Sequence, residues 1–126
     1  MAFRMPYRYP GQAAVLKRFV VIFHEAGHAI CLKATSKVAL YINNPAMMAG
    51  VVYYTAGRLS FFPVDTAIQP DNLHPIPHAD IASCLQYGTF EILGKMPADF
   101  KQLLITAVNA SITMKTARKA TVIQRL

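Results

Sequence analysis

The sequence predicts an α+β fold, mainly α, in which a small β-sheet follows a long first helix. Three observations lead to it. Between residues 13 and 33, Leu16, Phe19, Val20, Phe23, Ala26 and Ile30 recur at steps of three or four, a spacing that lines one helix face. Residues 38–42, 51–55 and 59–64 are short β-like runs, separated by Asn43, Asn44 and Pro45 and then by Ala56, Gly57 and Arg58, which end strands. Beyond residue 80 the pattern becomes helical again.

Taken in order, residues 1–12 read as a basic N-terminal arm, because Pro6, Pro10 and Gly11 interrupt a stretch of aromatics and arginines. Residues 13–126 read as one domain that begins with the first helix. Pro70, Pro75 and Pro77, with Asp71 and Asn72, place too many breakers in residues 65–79 for regular structure, so a long surface loop is expected there. Asp80 is positioned to cap a helix through about residue 93, stopped by Gly94. Pro97 suits the first turn of a last helix, where Phe100, Leu103, Leu104, Ala107 and Val108 form an apolar stripe.

With 126 residues, 54% of them hydrophobic and 15% charged, the chain is long and apolar enough for one packed core and lies outside the disordered regime. Thirteen Lys and Arg against six Asp and Glu give a net charge of +7, and the excess sits at the ends. Residues 1–24 carry Arg4, Arg8, Lys17 and Arg18 without an acid, and residues 100–126 carry five cations without one. Such ends suit protein partners, an assembly of several chains or a peripheral contact with an anionic membrane. No interleaved basic and aromatic signature points to nucleic acid. Charges and histidines interrupt the best apolar run, so no membrane span is expected. Cys31 and Cys84 are too few for a disulfide framework, which favours a reducing intracellular compartment.

His24, Glu25, Ala26, Gly27 and His28 spell H-E-x-x-H inside the first helical pattern. On a helix, two histidines four apart sit one turn above each other and can share one Zn²⁺. Glu25 would then reach a zinc-bound water and take its proton as general base. Gly27 within a helix is best explained by close approach of another backbone. A catalytic zinc needs a third protein ligand. Asp65, Asp71, His74, His78, Asp80, Glu91, Asp99 and Cys31 are the candidates. Asp99 is favoured because the first turn of a helix keeps a carboxylate ionised, whereas Pro75 and Pro77 keep His74 and His78 off a helix.

Residues 23–30, Phe-His-Glu-Ala-Gly-His-Ala-Ile, closely resemble the zinc helix of the FtsH family of ATP-dependent membrane proteases. Three looser elements follow in the family's order: residues 57–63, ending in Pro63; residues 85–94, with Glu91 and Gly94; and residues 94–99, ending in Asp99. The resemblance implies a zinc-peptidase-like helical domain with His24, His28 and Asp99 as metal ligands and Glu25 as catalytic base. It implies Zn²⁺ as cofactor and hydrolysis of flexible polypeptides. The family's phosphate loop and membrane segment have no counterpart here, and about 27 residues follow Asp99. The expectation is therefore a peptidase core without its motor, or an inactive peptidase-like subunit with a structural role in a larger assembly.

Overall fold

The computed structural model describes residues 1–8 and 10–126. Its centre is a six-stranded sheet of spatial order β4-β5-β3-β2-β1-β6, with every pairing antiparallel. The strands are β1 (Ala2–Tyr7), β2 (Val15–Glu25), β3 (His28–Thr35), β4 (Val52–Tyr54), β5 (Thr66–Pro77) and β6 (Glu91–Gly94). The helices are α1 (Ala39–Ile42), α2 (Pro45–Ala49), α3 (His78–Gln86), α4 (Phe100–Ala110) and α5 (Thr116–Arg125). The fold is thus a mixed one built on an antiparallel sheet, and the expectation of a mainly helical, zinc-peptidase-like domain is corrected.

The largest correction concerns residues 13–33, which form the hairpin of β2 and β3 instead of a helix. Their three- and four-residue apolar steps are real, but they sit in a run dense in Phe, Val and Ile, whose β-branched and aromatic side chains pack best on a pleated sheet. A short run that is apolar on both sides fits either element by periodicity alone. Here neighbours decide: β1 pairs with β2 from Ala2↔Val20 to Tyr7↔Val15, and β3 pairs with β5 from His28↔Pro77 to Thr35↔Ala67. The expected arm therefore contains an interior strand, β1, with β2 on one side and β6 on the other. Tyr9, also in that arm, lies outside the described residues.

Residues 65–79, expected as a loop, hold the twelve-residue β5. Its prolines are tolerated because β4 pairs only with Thr66, Ala67 and Ile68, so Pro70, Pro75 and Pro77 stand where no strand needs their missing N–H. The register against β3 jumps from Leu73 to Gln69 across Leu32 and Lys33, a bulge that takes up Pro70, Asp71 and Asn72. Residues 59–64 form turns, residues 39–42 form α1, and residues 91–94, expected as the end of a helix, form the edge strand β6.

The sheet is covered on both faces. Against one face lie α4 and α5, where Val20, Leu32, Ala34, Val52, Tyr54 and Ile68 meet Phe100, Leu104, Ala107, Val108 and Val122. The expected stripe of the last long helix thus faces the core, apart from Leu103, which is 39% exposed. Against the other face lies α3, where Phe3, Met5, Phe19, Ala29, Cys31 and Ile76 meet Ile81, Cys84 and Phe90. Among the described residues, no helix is long and apolar enough to cross a membrane.

The hairpin turns at Ala26 and Gly27, whose φ angles are 49° and 77°. Both central residues of this tight two-residue turn are left-handed, the form whose twist matches the flanking strands. A Cβ on Gly27 would meet nothing within 4 Å, so Gly27 is required by its φ and not by close packing. Ala26 adopts the same region at a cost of about 1–2 kcal/mol. Gly27→Ala is expected to lower stability by about 1 kcal/mol, and Ala26→Asn to raise it by about 0.5–1 kcal/mol, both read from urea midpoints. In a helix the sign for Gly27→Ala would be reversed, with a gain of about 1 kcal/mol.

Candidate functional site at the hairpin tip

The H-E-x-x-H residues sit at the tip of the β2–β3 hairpin, and strand alternation sends them to different faces of the sheet. His24 is opposite Ala29, which belongs to the α3 side. Glu25 is opposite His28, and cross-strand partners share a face. Glu25 accepts from Arg125 Nη1 at 2.8 Å, which places this pair on the α5 side. Two histidines that would share one helix face are thereby separated by the sheet.

Each candidate ligand has a definite place. His28 Nδ1 lies 2.9 Å from the Ala26 carbonyl, which can only accept, so Nδ1 carries the proton and the turn holds the ring. Asp99 stands at the N-cap of α4 and makes no side-chain capping bond. It lies near Tyr54, whose phenol is held above its ordinary value first by burial and then by this carboxylate. Tyr54 pairs with Thr66 on β5, beyond the Thr35↔Ala67 end of β3. At roughly 3.3 Å per residue, that end is about 23 Å along β3 from His28. The structure therefore does not bring His24, His28 and Asp99 together.

The remaining candidates are engaged elsewhere. Asp65 accepts from the Tyr53 hydroxyl at 2.7 Å and from the Ala56 N–H at 2.8 Å, and these bonds hold its carboxyl below the usual range. Asp71 accepts from the Thr113 hydroxyl at 2.7 Å, and Glu91 pairs with Arg4. Asp80 lies in the first turn of α3. Cys31 is fully buried, and burial pushes its thiol up to about 12, so it stays a protonated, unreactive thiol. Among the described residues, no group of three or more His, Cys, Asp or Glu side chains is placed to hold a metal ion.

What the structure does bring together is His24 and His78. The His78 N–H donates to the Gly27 carbonyl at 2.9 Å, pinning the start of α3 to the hairpin tip. His24 Nδ1 and His78 Nε2 then lie 3.0 Å apart. The pair stands at the mouth of an apolar cavity of about 290 Å³ lined by Phe3, Val21, Ala29, Ile81, Leu85 and Phe90 among others. The contact between the two imidazoles is a hydrogen bond, one ring nitrogen donating to the other; its length is close to the roughly 3.3 Å between two nitrogens on one tetrahedral zinc ion. The sequence puts His78 among the third-ligand candidates and keeps it off a helix, whereas it is the first residue of α3; its link to His24 depends on strand pairing and leaves no local signal.

On the opposite face, Arg125 fixes α5 to the hairpin. Besides Glu25, it reaches the His24 carbonyl at 3.4 Å and lies over the Phe23 ring at 5.1 Å. Next to this anchor opens a cleft of about 590 Å³, floored by Phe23, Ile30, Leu73 and Pro75 and rimmed by Lys115 and Arg118. Comparison with protein-family models, curated proteins and solved structures finds no match.

His74, also a candidate ligand, is 6% exposed and packs between Tyr7 and Phe19, with ring centroids at 5.4 and 5.5 Å. Its Nδ1 meets the Tyr7 hydroxyl at 3.3 Å, while its Nε2 is buried without a partner. Burial, and secondarily the charge of Lys33, lower its proton affinity below the ordinary 6.5. The unfolded chain therefore binds the proton first. Stability is complete above about pH 6.5 and falls as pH drops below it, with a slope of at most about 1.4 kcal/mol per pH unit. Urea unfolding between pH 7.5 and 5 is expected to show this loss, and His74→Phe to reduce it.

Proposed function

We propose that this protein is a binding module for a small apolar acid, held in the cleft between the β2–β3–β5 surface and α5. The observation that carries this reading is the cleft itself. Its volume of about 590 Å³ falls within the roughly 300–1,000 Å³ of small-molecule sites, which join an apolar lining to a few placed polar groups. Phe23, Ile30, Leu73, Pro75 and Val122 supply the apolar part, and Lys115 and Arg118 at the rim supply the positive charge. Glu25, the one acid in the lining, is already neutralised by Arg125. An anionic head with an apolar tail matches this division.

The residues divide the work accordingly. Burial of the tail drives binding at roughly 25 cal/mol per Å² of apolar surface removed from water. Lys115 and Arg118 orient the head. The peptidase reading requires Glu25 beside a metal-bound water, whereas here its carboxylate lies on the α5 face in an ion pair, across the sheet from His24.

Titration calorimetry with decanoate tests the reading, with decanol as the uncharged control. Decanoate is expected to bind more tightly than decanol, Lys115→Gln and Arg118→Gln each to weaken it about two- to fivefold, as for exposed ion pairs, and Ala117→Trp to block it. Equal binding of decanoate to wild type and Ala117→Trp would sink the proposal.

A second reading rests on the 3.0 Å nitrogen pair. In it, a zinc-class ion is held by His24 and His78 at the mouth of the α3-side cavity. When bound, such an ion would supply a Lewis acid with open positions for an outside ligand. Zinc content after dialysis separates the two ligand sets. His24→Ala and His78→Ala are expected to lose metal while His28→Ala and Asp99→Ala keep it; the opposite outcome for the last two would favour the set implied by the FtsH resemblance.

A further inference from the structure

At the end of the β2–β3 hairpin remote from its turn, a cleft of about 190 Å³ is lined by Arg4, Lys17, Arg18, Lys33 and Lys37, together with Thr35 and Ser36. These are five cations, with no acid in the lining; strand alternation puts Arg4 and Arg18 on the α5 face and Lys17 and Lys33 on the α3 face. Arg4 and Arg18 are direct cross-strand partners on β1 and β2. Like charges so placed repel, and the arrangement is unfavourable unless an anion lies between them. Glu91 on β6 compensates Arg4 from the far side.

Among the described residues, no acid pairs with Arg18. Its Nε is buried and without a hydrogen-bond partner, although an unmade bond to a buried charged donor costs more than one to a neutral group. The outer Nη groups of a guanidinium take two oxygens of one oxyanion in parallel bonds. The Thr35 hydroxyl accepts from the Lys37 N–H at 3.1 Å. This bond folds the chain back after β3 and keeps Lys37 on the same cleft. Two guanidinium groups, an ammonium group and the hydroxyls of Thr35 and Ser36 make a donor set suited to a tetrahedral, multiply charged anion.

We propose that a phosphoryl group, presented as inorganic phosphate or as a small phosphate monoester, binds in this cleft between Arg4, Arg18 and Lys37. The group accepts from the outer Nη groups of Arg18 and screens Arg18 from Arg4. Lys17 and Lys33 point to the other face of the sheet and add only longer-range positive potential. The site is separate from the α5 cleft and does not depend on what that cleft binds.

Titration calorimetry on the whole chain with inorganic phosphate, glycerol 3-phosphate, sulfate and chloride tests this. The expected result is saturable binding of phosphate or the monoester in preference to chloride, weakened about tenfold or more in Arg18→Met and less in Lys37→Gln. The tighter of the two phosphoryl ligands identifies the source. Glu91→Gln is expected to strengthen binding by freeing Arg4, a gain that damage to the fold would not produce. Should Arg18→Met fail to fold, Lys37→Gln and Glu91→Gln still decide. Binding without saturation, equal binding of chloride, wild-type affinity in Arg18→Met, no change in either of the other variants, or uptake of a single-stranded oligonucleotide but not of phosphate would each overturn the proposal.

Discussion

The pairing of β2 with β3 is the constraint on which the rest of the structure depends, because it fixes both the centre of the sheet and the faces to which its side chains point. The two strands meet from Arg18↔Ala34 to Glu25↔His28 and turn within two residues, both left-handed. β1 is added outside β2 and β5 outside β3, so these four strands hold register only if the hairpin does. A slip of one residue would exchange the α3 face for the α5 face along every strand. The irregularity between Val21 and Phe23 acts in this way locally. It puts Phe23 and Glu25 on the α5 side and His24 on the α3 side.

From that geometry follows a division of chemistry between the two faces. A segment of five residues that would concentrate two imidazoles and a carboxylate on a helix instead distributes them. His24 is joined by His78 through the tie between α3 and the hairpin tip, and Glu25 by Arg125 through the last turn of α5. The basic ends are redistributed as well. Arg4 enters the sheet as part of β1 and meets Arg18 across the strands, while Lys115, Arg118 and Arg125 all lie against the α5 cleft or the ion pair beside it.

Parts of this were legible in the sequence for physical reasons. The stripe of Phe100, Leu104, Ala107 and Val108 has only one good period, and it faces the core on α4. Residues 51–55, Val-Val-Tyr-Tyr-Thr, contain β4, a β-branched and aromatic run between Gly50 and Gly57. The hairpin was not legible because a run from Phe19 to Phe23, apolar on both sides, satisfies helix and buried-strand patterns alike. The dipeptide Ala26-Gly27 is a weak turn signal compared with Asn-Gly. β5 was hidden by prolines that a loop and an edge-facing strand accommodate equally well. Of the candidate site, His24, Glu25 and His28 could be found as a motif, but not their separation across a sheet, nor the partners His78 and Arg125, which lie 54 and 100 residues away in the chain.

The amino-acid sequence by itself determined the inventory: enough apolar residues for a two-faced core, an excess of positive charge carried at both ends, and a cluster of histidine and glutamate between two apolar runs. These are properties of composition and local order, and they hold whatever the chain folds into. Which residues meet was decided only by the tertiary structure. Short apolar segments gain most of their stability from the surface they bury against others, so the addition of β1 and β5 to the hairpin, more than any local preference, makes residues 13–33 a pair of strands. With that choice, an i, i+4 spacing that would be a contact on a helix becomes a separation across a sheet.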